Sequence, residues 1–303
     1  FSPASAAHVR ETRFNGQNIP FGTDLLFESG PVKFGIEICE DLWVPVPPST
    51  QAALQGATLI FNLSATNELA GKHAYLRKLI EQQSARTHTA YIYASAGTGE
   101  SSTDVVYAGN ALIAENGLMI ATSKRFNNES QLVISEVDYE KLVAERLRNT
   151  NFFNDRSSVS YRIISAVSAQ KEWSSLSRII HPHPFVPSSE NMSESCQEIF
   201  SIQAAGLAQR WRHTNATTLV VGISGGLDST LALLVCVKAA DQLGYDRNRI
   251  VGITMPGFGT TDRTYSNAVQ LIKSLGVSFR EINIKEACML HFRDIGQIGR
   301  AHV

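Results

Sequence analysis

What this sequence has little of excludes several classes of protein. Its 303 residues include only four cysteines, at positions 39, 196, 236 and 288, and no gap between them forms a C-x-x-C pair. No histidine stands at zinc-ligand spacing from them. That argues against a structural zinc or a disulfide framework and makes a reducing, cytoplasmic compartment the expectation. No apolar run approaches the roughly 18 residues needed to span a bilayer, so no membrane association is expected. The 27 basic and 28 acidic side chains leave a net charge of −1, without the surplus a general nucleic-acid binder uses against phosphates. The first residues, Phe1-Ser2-Pro3-Ala4, have neither the basic region nor the apolar core of a signal peptide. With no initiator Met either, the chain reads as the interior of something longer. What is present is ordinary: 43% apolar and 18% charged residues, enough for about two globular domains.

The first half alternates strand and helix signals. Residues 32–38 read as a strand ending at Cys39, and a Pro-rich stretch leads to Ser49, a cap for a short helix through Leu54. The apolar run 57–61 reads as a strand covered on both faces. Residues 72–86 place Tyr75, Leu76, Leu79 and Ile80 on one helical face. Further strands are expected at 90–95, 110–114, 118–122 and 132–137, with Asn116-Gly117 marking a tight hairpin. A charged helix over 139–147 closes the series. Residues 149–190 are Ser- and Pro-rich, including His181-Pro182-His183-Pro184, and read as a solvated linker between domains 1–148 and 191–297. A second series follows: helix 198–212, strand 217–223, a Gly-rich turn, helix 229–240, strand 250–254, helix 264–275 and strand 277–282. That order is the pattern of a doubly wound parallel sheet, so the chain as a whole belongs to the α/β class.

The most specific local signal is Ser224-Gly225-Gly226-Leu227-Asp228-Ser229-Thr230, between a strand and a helix. Two glycines let the backbone turn its N–H groups toward one point, and a helix N-terminus adds partial positive charge. Ser224, Ser229 and Thr230 can donate hydroxyl hydrogen bonds. Asp228 would repel a phosphate unless Mg²⁺ lies between them. No lysine accompanies the glycines, which excludes the kinase and GTPase patterns. Two glycines after a serine also suit a plain helix cap; the full run between strand and helix favours an anion site.

A second constellation is Lys33-Phe34-Gly35-Ile36-Glu37-Ile38-Cys39-Glu40-Asp41-Leu42-Trp43. Alternation puts Glu37 and Cys39 on one face, opposite Phe34, Ile36 and Ile38. A cysteine at a strand end is either a nucleophile or an inert buried thiol. The acidic neighbours disfavour the thiolate unless a cation compensates.

Beyond these local readings, the serine–glycine run resembles the pyrophosphate loop of enzymes that cleave ATP to AMP and pyrophosphate while activating a carboxylate. The run I-C-E-D-L-W-V-P-V-P-P-S resembles the nucleophile segment of nitrilase-superfamily glutaminases. Asn62-Leu63-Ser64-Ala65, residues 96–104 and residues 109–117 match in the same way. One family joins the two parts in this order, the glutamine-dependent NAD⁺ synthetases. The resemblance runs from Phe1 to about Gln297 and includes Met255-Pro256-Gly257-Phe258 and Leu290-His291-Phe292. It implies the C-terminal part of an α-β-β-α nitrilase-like sandwich followed by the N-terminal part of a doubly wound ATP pyrophosphatase sheet. It also implies a ligase reaction in NAD biosynthesis. Cys39 hydrolyses glutamine through a thioester, and the ammonia amidates ATP-activated nicotinic acid adenine dinucleotide.

By position in that family, Thr66 and Lys72 contact glutamine. Ser224, Gly225, Gly226, Asp228, Ser229 and Thr230 hold the pyrophosphate end of ATP, with Asp228 on Mg²⁺, and Met255 lies beside the adenosine. A homo-oligomer is implied as well. The family's general base and lysine stand well upstream of the cysteine, farther than residues 1–38 allow, and its later G-T-G-D-L-S-E type segment does not follow. The expectation is therefore a fragment cut at both ends and impaired in activity. Residues 298–303 depart from the family and match one reading frame of a sequencing adapter, which marks them as a read-through artefact. An alternative keeps the same parts but has the ligase amidate a different carboxylate.

Overall fold

A computed structural model describes residues 9–101, 103–152, 160–166, 175–180, 182–187 and 191–296. The chain divides into two compact units, Phe1–Ile180 and His181–Val303. The suspected adapter-derived residues 298–303 and the linker's His181 lie outside the described residues.

In the first unit, β1 (Glu11–Phe14) and β2 (Gln17–Pro20) form a separate antiparallel hairpin. Strands β3 (Leu25–Ser29), β4 (Val32–Ile38), β5 (Leu59–Ser64), β6 (Ala90–Ser95), β7 (Ala111–Glu115), β8 (Leu118–Thr122) and β9 (Arg162–Ser165) share one sheet. Its order is β8-β7-β6-β5-β4-β3-β9. The central strands β4, β5 and β6 are parallel, because their connections are the crossover helices α1 (Pro48–Leu54) and α2 (Lys72–Thr87). The β7–β8 pair needs only a two-residue turn, and Asn116 and Gly117 both adopt the positive φ it requires, 47° and 89°.

Period-2 alternation sends Ile60, Tyr91, Tyr93, Leu112 and Ala114 to the face covered by α1 and α2, where they pack with Ala52, Leu76 and Ile80. Among the described residues the opposite face is open: Ile38 is 63% exposed and Leu63 59%. The apolar run after Ala57 is thus buried on one side rather than both. Helix α3 (Tyr139–Arg148) buries Leu142 and sends Arg146 inward. The Arg146 guanidinium donates to the carbonyls of Ala53, Ala57 and Thr87, satisfying acceptors at the ends of α1 and α2. Burial without a counter-charge pulls its pKa down to about 10.

Three expectations are corrected here. Residues 132–137 form no strand: Leu132 and Ile134 alternate correctly but are exposed, with no neighbouring strand to pair. Ser49 does not cap α1. Pro47 stands at the cap position, while Ser49 is buried inside the first turn, where its side chain accepts from Gln83 Nε2. The stretch 149–190 is not wholly a solvated linker. Arg162–Ser165 pairs with β3, and Arg178 forms an ion pair of 2.7 Å with buried Glu115. Ser-rich surroundings masked both attachments.

The second unit consists of α4 (Met192–Thr214), β10 (Leu219–Gly222), α5 (Leu227–Leu243), β11 (Ile250–Thr254), α6 (Asp262–Ser274), β12 (Ser278–Glu281) and α7 (Lys285–Asp294). The three strands are parallel in the order β10-β11-β12. Trp211, Leu233, Val237, Ile250, Ala268 and Ile272 make its core. The molecule is mixed α/β, with parallel strands at the centre of both sheets.

Candidate active sites

In the first unit, β4 runs out at Ile38, whose φ of −126° is still extended, and the next residue, Cys39, switches to φ 54°. A 3-10 turn, Cys39–Trp43, follows at once. This strand-to-turn elbow places the candidate nucleophile in the left-handed region, a conformation that lets a side chain stand clear of a sheet. The strand alternation ends at Ile38, so Cys39 does not share a face with Glu37 as period-2 reading suggested. The elbow is braced on both sides. Ile38 N–H donates to the Asp41 carboxylate at 2.8 Å, and Asn62 Nδ2 donates to the Cys39 carbonyl at 3.3 Å.

The acidic neighbours are all directed away from the sulfur. Glu40 is exposed, Asp41 caps Ile38, and Glu37 is buried, accepting from Tyr91 OH and from Ser49 N–H at 2.8 Å. Burial, followed by the adjacent Glu37 carboxylate, pushes the Tyr91 phenol far up, so it remains a protonated donor.

Two expected site residues meet here. Thr66 Oγ1 lies 3.9 Å from Cys39 Sγ and accepts a hydrogen bond from buried Tyr93 at 3.0 Å. Lys72, at the start of α2, is not brought to the sulfur by any direct bond. Its Nζ donates to Asn67, next to Thr66, at 3.0 and 3.2 Å, and lies 5.5 Å from the Trp43 ring centre. The same segment continues into Glu68, which pairs with Arg125 at 2.9 Å and accepts from Asn110, beside a cavity of about 510 Å³. His73 lines that cavity, and burial together with the Arg125 charge lowers its pKa.

In the second unit, the serine–glycine run connects β10 to α5. Ser224 Oγ lies 3.2 Å from Ser229 Oγ and accepts from Gly226 N–H at 3.3 Å; Ser229 Oγ donates to the Gly226 carbonyl at 3.1 Å. Gly225 sits at φ 83°, and a Cβ there would stand 2.2 Å from the Thr264 carbonyl oxygen, so α6 backbone closes one side of the turn. Thr230 N–H bonds Gly226, starting the helix. Asp228, in the first turn of α5, is exposed and makes no hydrogen bond or ion pair with the described residues. Met255, half exposed at the end of β11, lines a cleft of about 370 Å³ with Ser224, Pro256, Thr264 and Tyr265. Asp228 is a carboxylate without a partner among the described residues, in the same turn as three hydroxyl side chains, and Mg²⁺ binds through one or two such carboxylates while keeping its other positions for phosphate and water.

Asn62, Tyr91 and Tyr93 were not assigned roles from sequence. Their one signal was polarity at core-facing positions of otherwise apolar strands, which period-2 reading could have flagged.

Comparison with known proteins divides the chain at the same place. Residues 4–146 match the carbon–nitrogen hydrolase family and residues 199–300 the NAD synthase family. Glutamine-dependent NAD(+) synthetases from Mycobacterium leprae and Mycobacterium bovis are each 40% identical, over 91% and 94% of this chain and 42% and 43% of their own lengths. A protein of the same name from Thermotoga maritima is 27% identical over 84% of the chain and 41% of its own. The chain thus spans less than half the length of the relatives it matches. A solved glutamine-dependent NAD(+) synthetase from Cytophaga hutchinsonii covers 95% of the chain and 44% of its own at 19% identity, with a TM-score of 0.36.

Proposed function

We propose, for a chain whose residues 4–146 belong to the carbon–nitrogen hydrolase family and residues 199–300 to the NAD synthase family, that it makes NAD⁺ with glutamine as nitrogen donor. The Cys39 thiolate adds to the side-chain amide carbon of glutamine. Ammonia leaves with a proton, a glutamyl thioester remains, and water releases glutamate and restores the thiol. Thr66 and Lys72 contact the glutamine. The ammonia then attacks nicotinic acid adenine dinucleotide whose carboxylate has been adenylated by ATP with loss of pyrophosphate, and AMP departs.

Ser224, Gly225, Gly226, Ser229 and Thr230 hold the pyrophosphate end of ATP, Met255 flanks its adenosine, and Asp228 holds Mg²⁺. Bound there, the ion neutralises phosphate charge and favours pyrophosphate departure. In this reading residues 1–148 are the glutaminase part and residues 191–297 the synthetase part. The enzyme works in the cytoplasm, consistent with four unpaired cysteines, and as the homo-oligomer that the family resemblance implies.

The observation that carries this reading is the pairing, in one chain, of a cysteine elbow and a phosphate turn, each at the carboxyl end of a parallel strand. In enzyme expressed from its complete reading frame, Cys39→Ala abolishes NAD⁺ formation from glutamine and leaves formation from ammonium intact. Asp228→Ala abolishes both. ATP–pyrophosphate exchange requires nicotinic acid adenine dinucleotide; exchange driven only by another carboxylate would assign the ligase a different substrate.

A further inference from the structure

Behind the elbow lies a buried chain of hydrogen bonds whose direction is set at one end by a carboxylate. Glu37 can only accept, and Ser49 N–H occupies its Oε2. Its Oε1 takes the single proton of Tyr91. The Tyr91 oxygen, having spent that proton, accepts from Asn62 Nδ2 at 3.0 Å. This orients the Asn62 amide, and Ser64 Oγ fixes the other end by donating to Oδ1 at 2.8 Å. The remaining N–H of Asn62 faces the Cys39 carbonyl. Each bond compels the next. Glu37, Asn62 and Tyr93 also lie side by side on β4, β5 and β6, so one row of the sheet carries the support for both the Cys39 backbone and Thr66.

We propose that Asn62 is the positioning residue of the Cys39 nucleophile, with Glu37 and Tyr91 holding its amide so that it donates to the Cys39 carbonyl. The inference rests on the glutaminase reading above and deepens it. A residue at φ 54° keeps that conformation only where its surroundings impose it, and among the described residues two side chains brace the elbow's backbone, Asp41 and Asn62. Loss of the Asn62 brace lets Cys39 relax toward negative φ and carries the sulfur away from Thr66.

The diagnostic variant is Glu37→Gln, which keeps volume and shape. A glutamine oxygen turned to Ser49 N–H presents an NH₂ group to Tyr91, whose proton must then go to Asn62. The Asn62 amide flips and offers the Cys39 carbonyl an oxygen in place of a donor. Asn62→Ala removes the brace outright.

Two measurements on enzyme expressed from its complete reading frame test this. Hydrogen exchange of the peptide carrying residues 38–43 rises about tenfold or more in both variants, while exchange in the α2 peptide is unchanged. Labelling of Cys39 by 6-diazo-5-oxonorleucine, a glutamine-shaped electrophile, falls at least tenfold, whereas labelling by iodoacetamide, which is indifferent to orientation, changes less than threefold. A role in packing alone would move the two reagents together and spare the isosteric Glu37→Gln. Wild-type exchange at the elbow in both variants overturns the relay. A wild-type Cys39 that reacts with iodoacetamide but never with the glutamine analogue rejects the glutaminase reading instead, and the exchange data still decide the relay.

Discussion

Two parallel strands of this chain lead into candidate sites, and they end differently. Strand β4 leads to Cys39 at φ 54°, and β10 leads through Ser224 to Gly225 at φ 83°. Around the first, Glu37 and Asn62 are buried and paired, and Tyr91 is wholly inaccessible. Around the second, Ser224, Gly226 and Asp228 are exposed, and the Ser224 and Ser229 hydroxyls bond each other and the turn's own backbone. On the proposed reading, the difference follows from the tasks. A covalent nucleophile has to be aimed before its substrate arrives, since orientation is where much of the rate is gained. An anion cradle does the reverse: its backbone and hydroxyl donors are needed only when the anion arrives, and the bonds they make meanwhile are local and exposed to water. One site is finished without ligand and the other is completed by it.

The comparison breaks most visibly at Gly225. Alanine there must hold a left-handed φ and push against the Thr264 carbonyl, which belongs to helix backbone and cannot swing aside. Strain of about 1–2 kcal/mol and overpacking of about 1–3 kcal/mol add to a loss of roughly 2–5 kcal/mol. Gly225→Ala is therefore expected to abolish ATP binding in a calorimetric titration and lower the urea midpoint of the second unit, leaving the first unit's transition in place. Full ATP affinity in that variant would mean that the turn need not be as closed as it is here.

At Cys39 the opposite substitution carries the information. In ordinary strand or helix, Gly is less stable than Ala by about 0.5–1 kcal/mol. At φ 54° the order inverts, and Cys39→Gly is expected to be more stable than Cys39→Ala by about 1 kcal/mol in urea unfolding. The inversion measures what the elbow costs the fold in order to present a thiol. If Ala proves the more stable of the two, the elbow relaxes in solution.

The same contrast explains what could be read beforehand. Ser224 to Thr230 is contiguous, so the phosphate turn stands in the sequence nearly as it stands in space. The central strands, the Asn116-Gly117 hairpin and most helices were equally local, and their periodicity was enough. The elbow was half legible: Cys39 at a strand end was visible, but of its supports only Asp41 is local, while Asn62 stands 23 positions from Cys39 and Tyr91 54 from Glu37. In sequence, Asn62 and Tyr91 look like any strand residues. Only the sheet's register sets them beside Glu37, and register is decided by the whole core. Strand β9 was hidden for a related reason. Four residues in a Ser-rich stretch have no pattern of their own, and they join the sheet because β3 offers a free edge.

That attachment gives the smallest and final test, because among the described residues each unit holds one bidentate Asp–Arg pair. Arg162 of β9 grips Asp24 at 3.0 and 2.7 Å and also donates to the carbonyls of Arg10 and Phe21, joining segments far apart in the chain. Arg247 grips Asp241 at 2.9 and 2.8 Å across only six positions and donates to one carbonyl, that of Leu275 at 3.1 Å, with both ion-pair partners about two-fifths exposed. In each case the arginine's hydrogen bonds are the main cause of an aspartate pKa below its ordinary value. A depressed carboxylate stabilises the fold above its unfolded pKa of about 3.9, and that contribution is lost as pH falls through the lower folded value. Arg162→Ala is expected to lower the first unit's Tm by a few degrees at pH 7, since it also loosens β9. Arg247→Ala should cost the second unit about one degree or less, as exposed local pairs are screened by water. Thermal melts at pH 7 and pH 3 separate charge from tethering. Both deficits should shrink at the lower pH, and more of the Arg162→Ala deficit should persist, because its two carbonyl bonds, against one for Arg247, do not titrate.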